Sequence, residues 1–444
     1  MRWSKLLGSD RLARPGYQAA PGRSSFQQDL DRIVFSASFR RLANKTQVHP
    51  LAENDHIHNR LTHSIETGSV GRSLGTMVGS RLCTSLSEKD IDFSPDDFGY
   101  IVQAACMAHD IGNPPFGHAG EDAIGEWFKQ EINEKAGFFQ ELSGVEKAEL
   151  SSFEGNAQGF RILTQLESRK WAGGLQLTHA VLGAFMKYPR PAYPRLKKAG
   201  SYKGFKKFGY FSSEKNYFDE IASALELKAL GEETGYWFRH PLAFLVEAAD
   251  DICYNIVDLE DAILMADLHY EDVVSLLEPL APGLEFEKHM GEVSRIAYMR
   301  AVAIGNVINE VVEIFCENQD SLLDGTFTTD LVSQTKYAKA FTDIQQTASK
   351  RIFTTQLKTG REISGRKVIH GILDIYKQVI SSLKDNDWKS EKIPPHIKRL
   401  IRYANLDFRE ANDLYKATLV VTDFVSGMTD RYSKDTYKIL SGHF

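Results

Sequence analysis

The chain has 444 residues, 42% of them hydrophobic, and 53 Lys+Arg against 59 Asp+Glu give a formal net charge of −6. That composition excludes the disordered and fibrous classes, and at roughly 150 residues per domain the length corresponds to about three domain-sized units with ample core. A mildly acidic balance also excludes a bulk polycation, so any polyanion must meet a local basic patch.

Four cysteines, Cys83, Cys106, Cys253 and Cys316, lack CxxC spacing. They read as small apolar residues of a reduced protein, against a cysteine zinc site or a disulfide framework. The first residues, MRWSKLLGSDRLARPG, lack the apolar stretch of a signal peptide, and no uncharged apolar run approaches the ~18 residues of a membrane span. The expectation is a cytoplasmic protein with no membrane partner.

Helical periodicity dominates the chain. Leu30, Ile33, Val34 and Ala37 mark a first amphipathic stretch, and Leu61, Ile65, Leu74, Met77, Val78 and Leu82 a second. Phe98, Ile101, Val102, Ala105 and Cys106 mark a third, followed by Phe160, Leu163 and Leu166. A further helix ends near Lys187, after which residues 189–217 break the pattern with three prolines, eight Lys/Arg, one acid and seven aromatics. Such a segment predicts a long loop or twisted hairpin with a functional role. The clearest helix opens at Pro241, a first-turn proline, and carries Leu242, Leu245, Val246, Ala249, Ile252, Cys253, Ile256 and Ile263. Helical signal resumes after Asp267. Alternating β-branched segments are missing, so the expected class is all-α. We place a core over 1–270, including the basic loop, and a C-terminal helical region over 271–444, with a soft boundary inside what reads as one continuous unit.

The chemistry gathers around histidines next to carboxylates. His109-Asp110 closes the apolar helix AACMAHD, and Asn113 before Pro114 forces it to stop. Neighbours on a helix point about 100° apart, so one metal takes both only between helices. His63 sits in RLTHSIET, read as mid-helix, where a core-facing imidazole needs a partner. Stepping by four from Asp250 gives Tyr254 and Asp258, a polar stripe on an apolar helix, with Glu247, Asp251 and Asp261 as competing acids. Two imidazoles and two carboxylates suit a divalent cation and leave positions open for water or phosphate oxygens. Downstream, His118 and Glu121 share a helix face, the spacing of an imidazole–carboxylate proton-transfer pair.

These residues carry a family resemblance. H…HD…D is the signature of the HD-domain metal-dependent phosphohydrolases. FRRLANKTQV (39–48), NRLTHSIE (59–66), AHDIGNPPFGHAGE (108–121), FEGNAQGFRIL (153–163), EAADDICYNIVDLEDA (247–262) and DFVSGMTDRY (423–432) resemble, in order, the deoxyguanosine triphosphate triphosphohydrolase family. The resemblance implies an HD-domain helical core with an additional C-terminal helical region. The implied reaction converts a dNTP, dGTP foremost, to deoxynucleoside and tripolyphosphate. It also implies one divalent ion, Mg or Mn foremost with Zn, Ni, Fe or Co compatible, held by His63, His109, Asp110 and Asp250. Asp250 is preferred to Asp251 because the superfamily's last ligand follows an Ala. His118 with Glu121 is the implied catalytic pair, His118 serving as base or as acid. Gln47, Arg60, Asn156, Lys187, Tyr254 and Asp258 are the implied substrate contacts, and lysines and arginines of 190–207 are candidate phosphate partners. One departure is His58, where the pattern leads us to expect an arginine. A hexamer, with single-stranded DNA or dNTPs as effectors, is implied in the same way. Two rivals remain: an HD hydrolase of another nucleotide, such as a monophosphate or an alarmone, and a single-strand-binding oligomer whose 190–217 aromatics stack on bases beside a vestigial metal site.

Overall fold

A computed structural model of the chain describes residues 1–17, 19, 22–47, 57–87, 93–134, 137–193, 202–231, 235–287, 289–352 and 354–443. Among the described residues there are helices and isolated bridges but no strand, so the class is all-α. None of these helices is long and apolar enough to cross a membrane.

Nine helices position the site: α1 (Arg60–Ser87), α2 (Pro95–Ala108), α3 (His118–Asn133), α4 (Gly155–Arg161), α5 (Pro241–Leu264), α6 (Glu292–Glu317), α7 (Gln356–Asp385), α8 (Leu414–Ser426) and α9 (Asp430–Leu440). Local chemistry sets their ends. The Asn59 side chain accepts the N–H groups of Leu61 and Thr62 and so starts α1. Ser94 and Asp97 form a capping box around Pro95 at the head of α2. The His240 ring accepts the Leu242 N–H, and Pro241 opens α5.

Among the described residues α1 packs along α2 more extensively than any other helix pair, and glycines make that approach possible. A Cβ on Gly71 would lie 2.5 Å from Cys106 Sγ, and one on Gly75 would lie 2.6 Å from the Phe98 carbonyl oxygen. Each glycine costs a helix interior about 1 kcal/mol relative to alanine, and close packing offsets that cost. Against this pair lie α5 and α6, forming a first apolar core that runs from Trp3 to Ile352. A second core joins α3 to α7 and α8, with Phe116, Trp127, Phe139, Ile372, Tyr376 and Leu419 inside it. The candidate site lies where the segments of the two cores meet, between α2 and α3.

Several expected helix limits move. The stretch Leu30–Ala37 is two helices, Ser25–Val34 and Ala37–Arg41, because Ser36 caps a new start by accepting the Phe39 N–H. Leu163 and Leu166 fall in a wide π-type turn (Ile162–Leu166) after α4. The helix expected to end near Lys187 spans His179–Phe185. His63 lies in the first turn of α1 rather than mid-helix. All four cysteines are free.

The described part of the basic segment, 189–193 and 202–217, is loop with two short 3₁₀ turns, Lys203–Phe205 and Ser212–Glu214, and ends in the first residues of a helix, Lys215–Ala224. Its rings at Tyr202, Phe205, Phe208, Tyr210 and Phe211 are buried, so they are core and offer no stacking platform for bases. Arg190 is also buried and donates to the Phe205 and Pro191 carbonyls. Arg195, Lys197 and Lys198 lie outside the described residues.

Candidate metal centre and nucleotide cavity

Three helices deliver the metal-type donors. His63 comes from the first turn of α1, His109 and Asp110 follow α2, and Asp250 sits on the third turn of α5. Asp250 Oδ1 lies 3.2 Å from His63 Nε2 and 3.6 Å from His109 Nε2, and the two imidazole rings are 5.2 Å apart. His63, His109 and Asp250 thus form one group able to hold an ion. Asp110 Oδ1 approaches His109 Nε2 at 3.5 Å from the other side. Among the described residues it is Asp250, and not Asp251, that meets the imidazoles.

The surroundings fit a divalent cation. His109 Nδ1–H donates to the Cys106 carbonyl at 2.6 Å, which leaves Nε2 as the lone-pair nitrogen, and that atom is buried without a hydrogen-bond partner among the described residues. Asp110 Oδ2 accepts from Arg60 Nη1 at 2.6 Å, and Oδ1 accepts from the Asn113 amide. Burial alone would raise both carboxyls. The Arg60 guanidinium and the imidazoles outweigh it, holding Asp110 at about 2. His109, His63 and Lys187 hold Asp250 far below the usual carboxylate range. Both are therefore anionic, as metal ligands must be.

His109, Asp110 and Asp250 form one wall of a cavity of about 520 Å³, within the roughly 300–1,000 Å³ typical of small-molecule sites. The expected contacts Gln47, Arg60, His118, Glu121, Asn156, Lys187 and Tyr254 all line it. Gln47 presents a buried amide oxygen with no hydrogen-bond partner among the described residues. Lys187 Nζ stands 3.8 Å from Asp250 Oδ2 and 3.6 Å from Glu247 Oε1. Glu247 is in turn held by Arg239 at 2.6 Å. Burial alone would lower the Lys187 ammonium, but Glu247, Tyr188 and Asp250 push it up, so it stays charged.

Asp258 is placed differently from the rest. It is buried outside the cavity wall, and burial, against the pull of His63, raises its carboxyl to about 8. His58 also lies off the cavity wall, held between Asp261 Oδ1 at 2.7 Å and Glu66 Oε1 at 3.2 Å. The expected His118–Glu121 bond is not present among the described residues. Glu121 Oε1 instead accepts the Gly155 N–H at the start of α4 at 2.7 Å, and its Oε2 faces Lys207 Nζ at 3.6 Å. A free N–H at a helix start and an ammonium are stronger draws than a neutral ring. His118 begins α3 beside the cavity, where burial, Lys207 and Arg60 lower its pKa and keep it neutral.

Two lysines of the basic loop expected to meet phosphates, Lys206 and Lys207, and two residues not singled out as site candidates, Asn113 and Lys358, complete the wall. Lys207 is anchored by Glu154 at 2.9 Å. The only sequence signal for Lys207 was its membership of the basic loop, and Asn113 read only as a helix stop. The turn between α2 and α3 depends on two glycines. A Cβ on Gly112 would overlap the Gly159 nitrogen at 2.1 Å, and Gly117 takes φ +58° with Arg60 packed against it.

A family model described as "HD domain" matches residues 60–154. Over its whole length the chain is 41% identical to a Pseudomonas aeruginosa protein named "Deoxyguanosinetriphosphate triphosphohydrolase-like protein", covering 99% of that relative. A protein of the same name from Synechocystis sp. is 38% identical, with 100% of this chain and 99% of the relative covered. The "Deoxyguanosinetriphosphate triphosphohydrolase" of Yersinia pestis (strain Pestoides F) is 31% identical over 94% of this chain and 93% of its own length.

Proposed function

The chain belongs to the deoxyguanosinetriphosphate triphosphohydrolase family of HD-domain phosphohydrolases, and from that premise we propose that it hydrolyses dGTP, or a closely related dNTP, to deoxynucleoside and tripolyphosphate. The observation that supports this most is a single cavity in which His109, Asp110 and Asp250, with His63 packed behind Asp250, face a wall bearing Arg60, Lys187, Lys206 and Lys207. That wall suits four phosphate charges better than the single phosphate of a monophosphate.

A divalent cation, Mg or Mn foremost, would be held by His63, His109, Asp110 and Asp250 and would supply Lewis-acid neutralisation of phosphate oxygens. The remaining chemistry belongs to the chain. Phosphoryl transfer asks mainly for positioning and charge stabilisation. Lys187, beside Asp250, meets the oxygens nearest the reacting phosphorus, and Lys206, Lys207 and Asn156 hold the outer phosphates. Arg60, locked on Asp110, fixes that carboxylate and adds positive potential. Water attacks the α-phosphorus, and the bond from that phosphorus to the 5′-oxygen breaks. The neutral His118 imidazole accepts the water's proton and passes it on to the departing 5′-oxygen, so that the nucleoside leaves with its hydroxyl and His118 ends neutral. Tyr254 lies along the sugar, where its ring disfavours a ribose 2′-OH, and Gln47 offers an amide to the sugar or base.

Product analysis by ³¹P NMR with each dNTP, in Mg²⁺ and then Mn²⁺, tests the reading. Tripolyphosphate with free deoxynucleoside supports it. Orthophosphate from a monophosphate or an alarmone, with dNTPs untouched, would overturn it.

A further inference from the structure

The turn that carries His118 adopts a conformation it would not choose alone. Phe116 has φ +63° and Gly117 φ +58°, two successive residues in the left-handed region, the first with a bulky side chain. What imposes this comes from the far end of the chain. The Phe116 ring enters the second core against α7, so closely that a Cβ on Gly365 would fall 2.7 Å from it. The Phe116 N–H donates to Asp430 Oδ1 at 2.9 Å.

Asp430 is the first residue of α9 and is 2% exposed. Its second oxygen accepts the Thr46 N–H at 3.2 Å and the Thr46 hydroxyl at 2.5 Å. One buried carboxylate therefore ties together two segments more than sixty residues apart. Both wall the cavity: Thr46 precedes Gln47, and Phe116 stands two residues before His118. A parallel tie runs through Lys45, whose buried ammonium donates to the Asn113 carbonyl and, at 2.8 Å, to that of Ser426. Among the described residues, the hydrogen bonds Asp430's carboxylate accepts come from Thr46 and Phe116, and the metal-type donors are held by other groups.

We propose that Asp430 is a positioning residue that sets the spacing between the Gln47 and His118 walls of the cavity through three hydrogen bonds, independently of the metal centre. DFVSGMTDRY thereby gains a physical role: it presents Ser426 and Asp430 to the back of the catalytic turn. The assignment rests on the proposed role of His118, so its test is separated from the test of the substrate.

Rates of wild type and Asp430→Asn are compared on whichever dNTP the wild type cleaves, or on bis(p-nitrophenyl) phosphate if it cleaves none. Mn²⁺ affinity is measured on the same full-length preparations by electron paramagnetic resonance. Misplaced catalytic groups cost about 10–100-fold, so kcat should fall by that factor while KM and Mn²⁺ affinity stay within about threefold. Asp430→Ala, which loses every acceptor, should fall further. A kcat within about twofold of wild type in folded Asp430→Asn would overturn the proposal, as would Mn²⁺ affinity falling in step with kcat. Should neither Asp430 variant fold, Thr46→Val removes one of the three bonds and leaves the carboxylate. It should lower kcat about 3–10-fold at unchanged Mn²⁺ affinity, and an unchanged kcat would again refute the role.

Discussion

Replacing His58 with glutamine removes a cation from between two carboxylates. The side chain of Asp261 is only 1% exposed and accepts both the His58 ring at 2.7 Å and its backbone N–H at 3.1 Å, so water cannot readily substitute. Glu66 closes the other side from α1, and Glu260, paired with Arg300, flanks the cluster on α5. Hydrogen bonds to Asp261 and then Glu66, opposed by burial, raise the imidazole from 6.5 to about 10. At about 1.4 kcal/mol per pH unit that gap corresponds to roughly 5 kcal/mol. Solvent screening at the partly exposed Glu66 end reduces it to roughly 1–3 kcal/mol. Because the folded-state value is the raised one, the stabilisation is complete below about pH 6.5 and is lost as pH climbs to about 10. His58→Gln should therefore melt several degrees below wild type at pH 6.5, and the difference should shrink steadily towards pH 10. Thermal melts of both proteins across that range, followed by tryptophan fluorescence, measure it. A difference that stays constant or widens with pH would refute the reasoning, because a packing defect does not titrate.

Gly112→Ala forces a Cβ into the Gly159 and Gly155 backbone at 2.1 and 2.2 Å, so α4 must retreat from the turn. It should cost about 1–3 kcal/mol of stability, read by denaturant melts, and most of the activity. Lys187→Met removes the ammonium 3.8 Å from Asp250 and should lower kcat/KM about 10–100-fold while circular dichroism stays unchanged. Tyr254→Ala should narrow the preference for dNTP over NTP, read as the ratio of kcat/KM values; an unchanged ratio removes Tyr254 from sugar selection.

Local signals made much of the fold legible before any coordinates. Pro241 and an unbroken apolar face marked α5, whereas α2 ends at Ala108, five residues before the Asn113-Pro114 stop. What stayed hidden was of two kinds. Periodicity ran through the Phe35–Ser36 break because residues on both sides face the same core, and only the Ser36 cap reveals the interruption. Long-range pairings left no local trace: Asp430 with Phe116, Lys207 with Glu154, and α3 with α7 are set by tertiary packing. The site divides likewise. His63, the His109-Asp110 doublet and Asp250 stood out because polar groups on apolar helices need partners; the structure groups His63, His109 and Asp250, with Asp110 beside His109. The His118–Glu121 spacing suggested a bond that the competing Gly155 N–H and Lys207 ammonium draw away. The basic loop's aromatics looked like a stacking surface because composition cannot say which way a ring faces, and Tyr202, Phe205, Phe208, Tyr210 and Phe211 turn inward while Tyr193 stays exposed.

Hydrolysis in H₂¹⁸O, with mass spectrometry of both products, tests the central claim most directly. Attack at the α-phosphorus predicts one ¹⁸O in tripolyphosphate and none in the deoxynucleoside, abolished in Asp110→Ala. Label in orthophosphate or pyrophosphate alongside a deoxynucleoside di- or monophosphate, or full activity in Asp110→Ala, would contradict it.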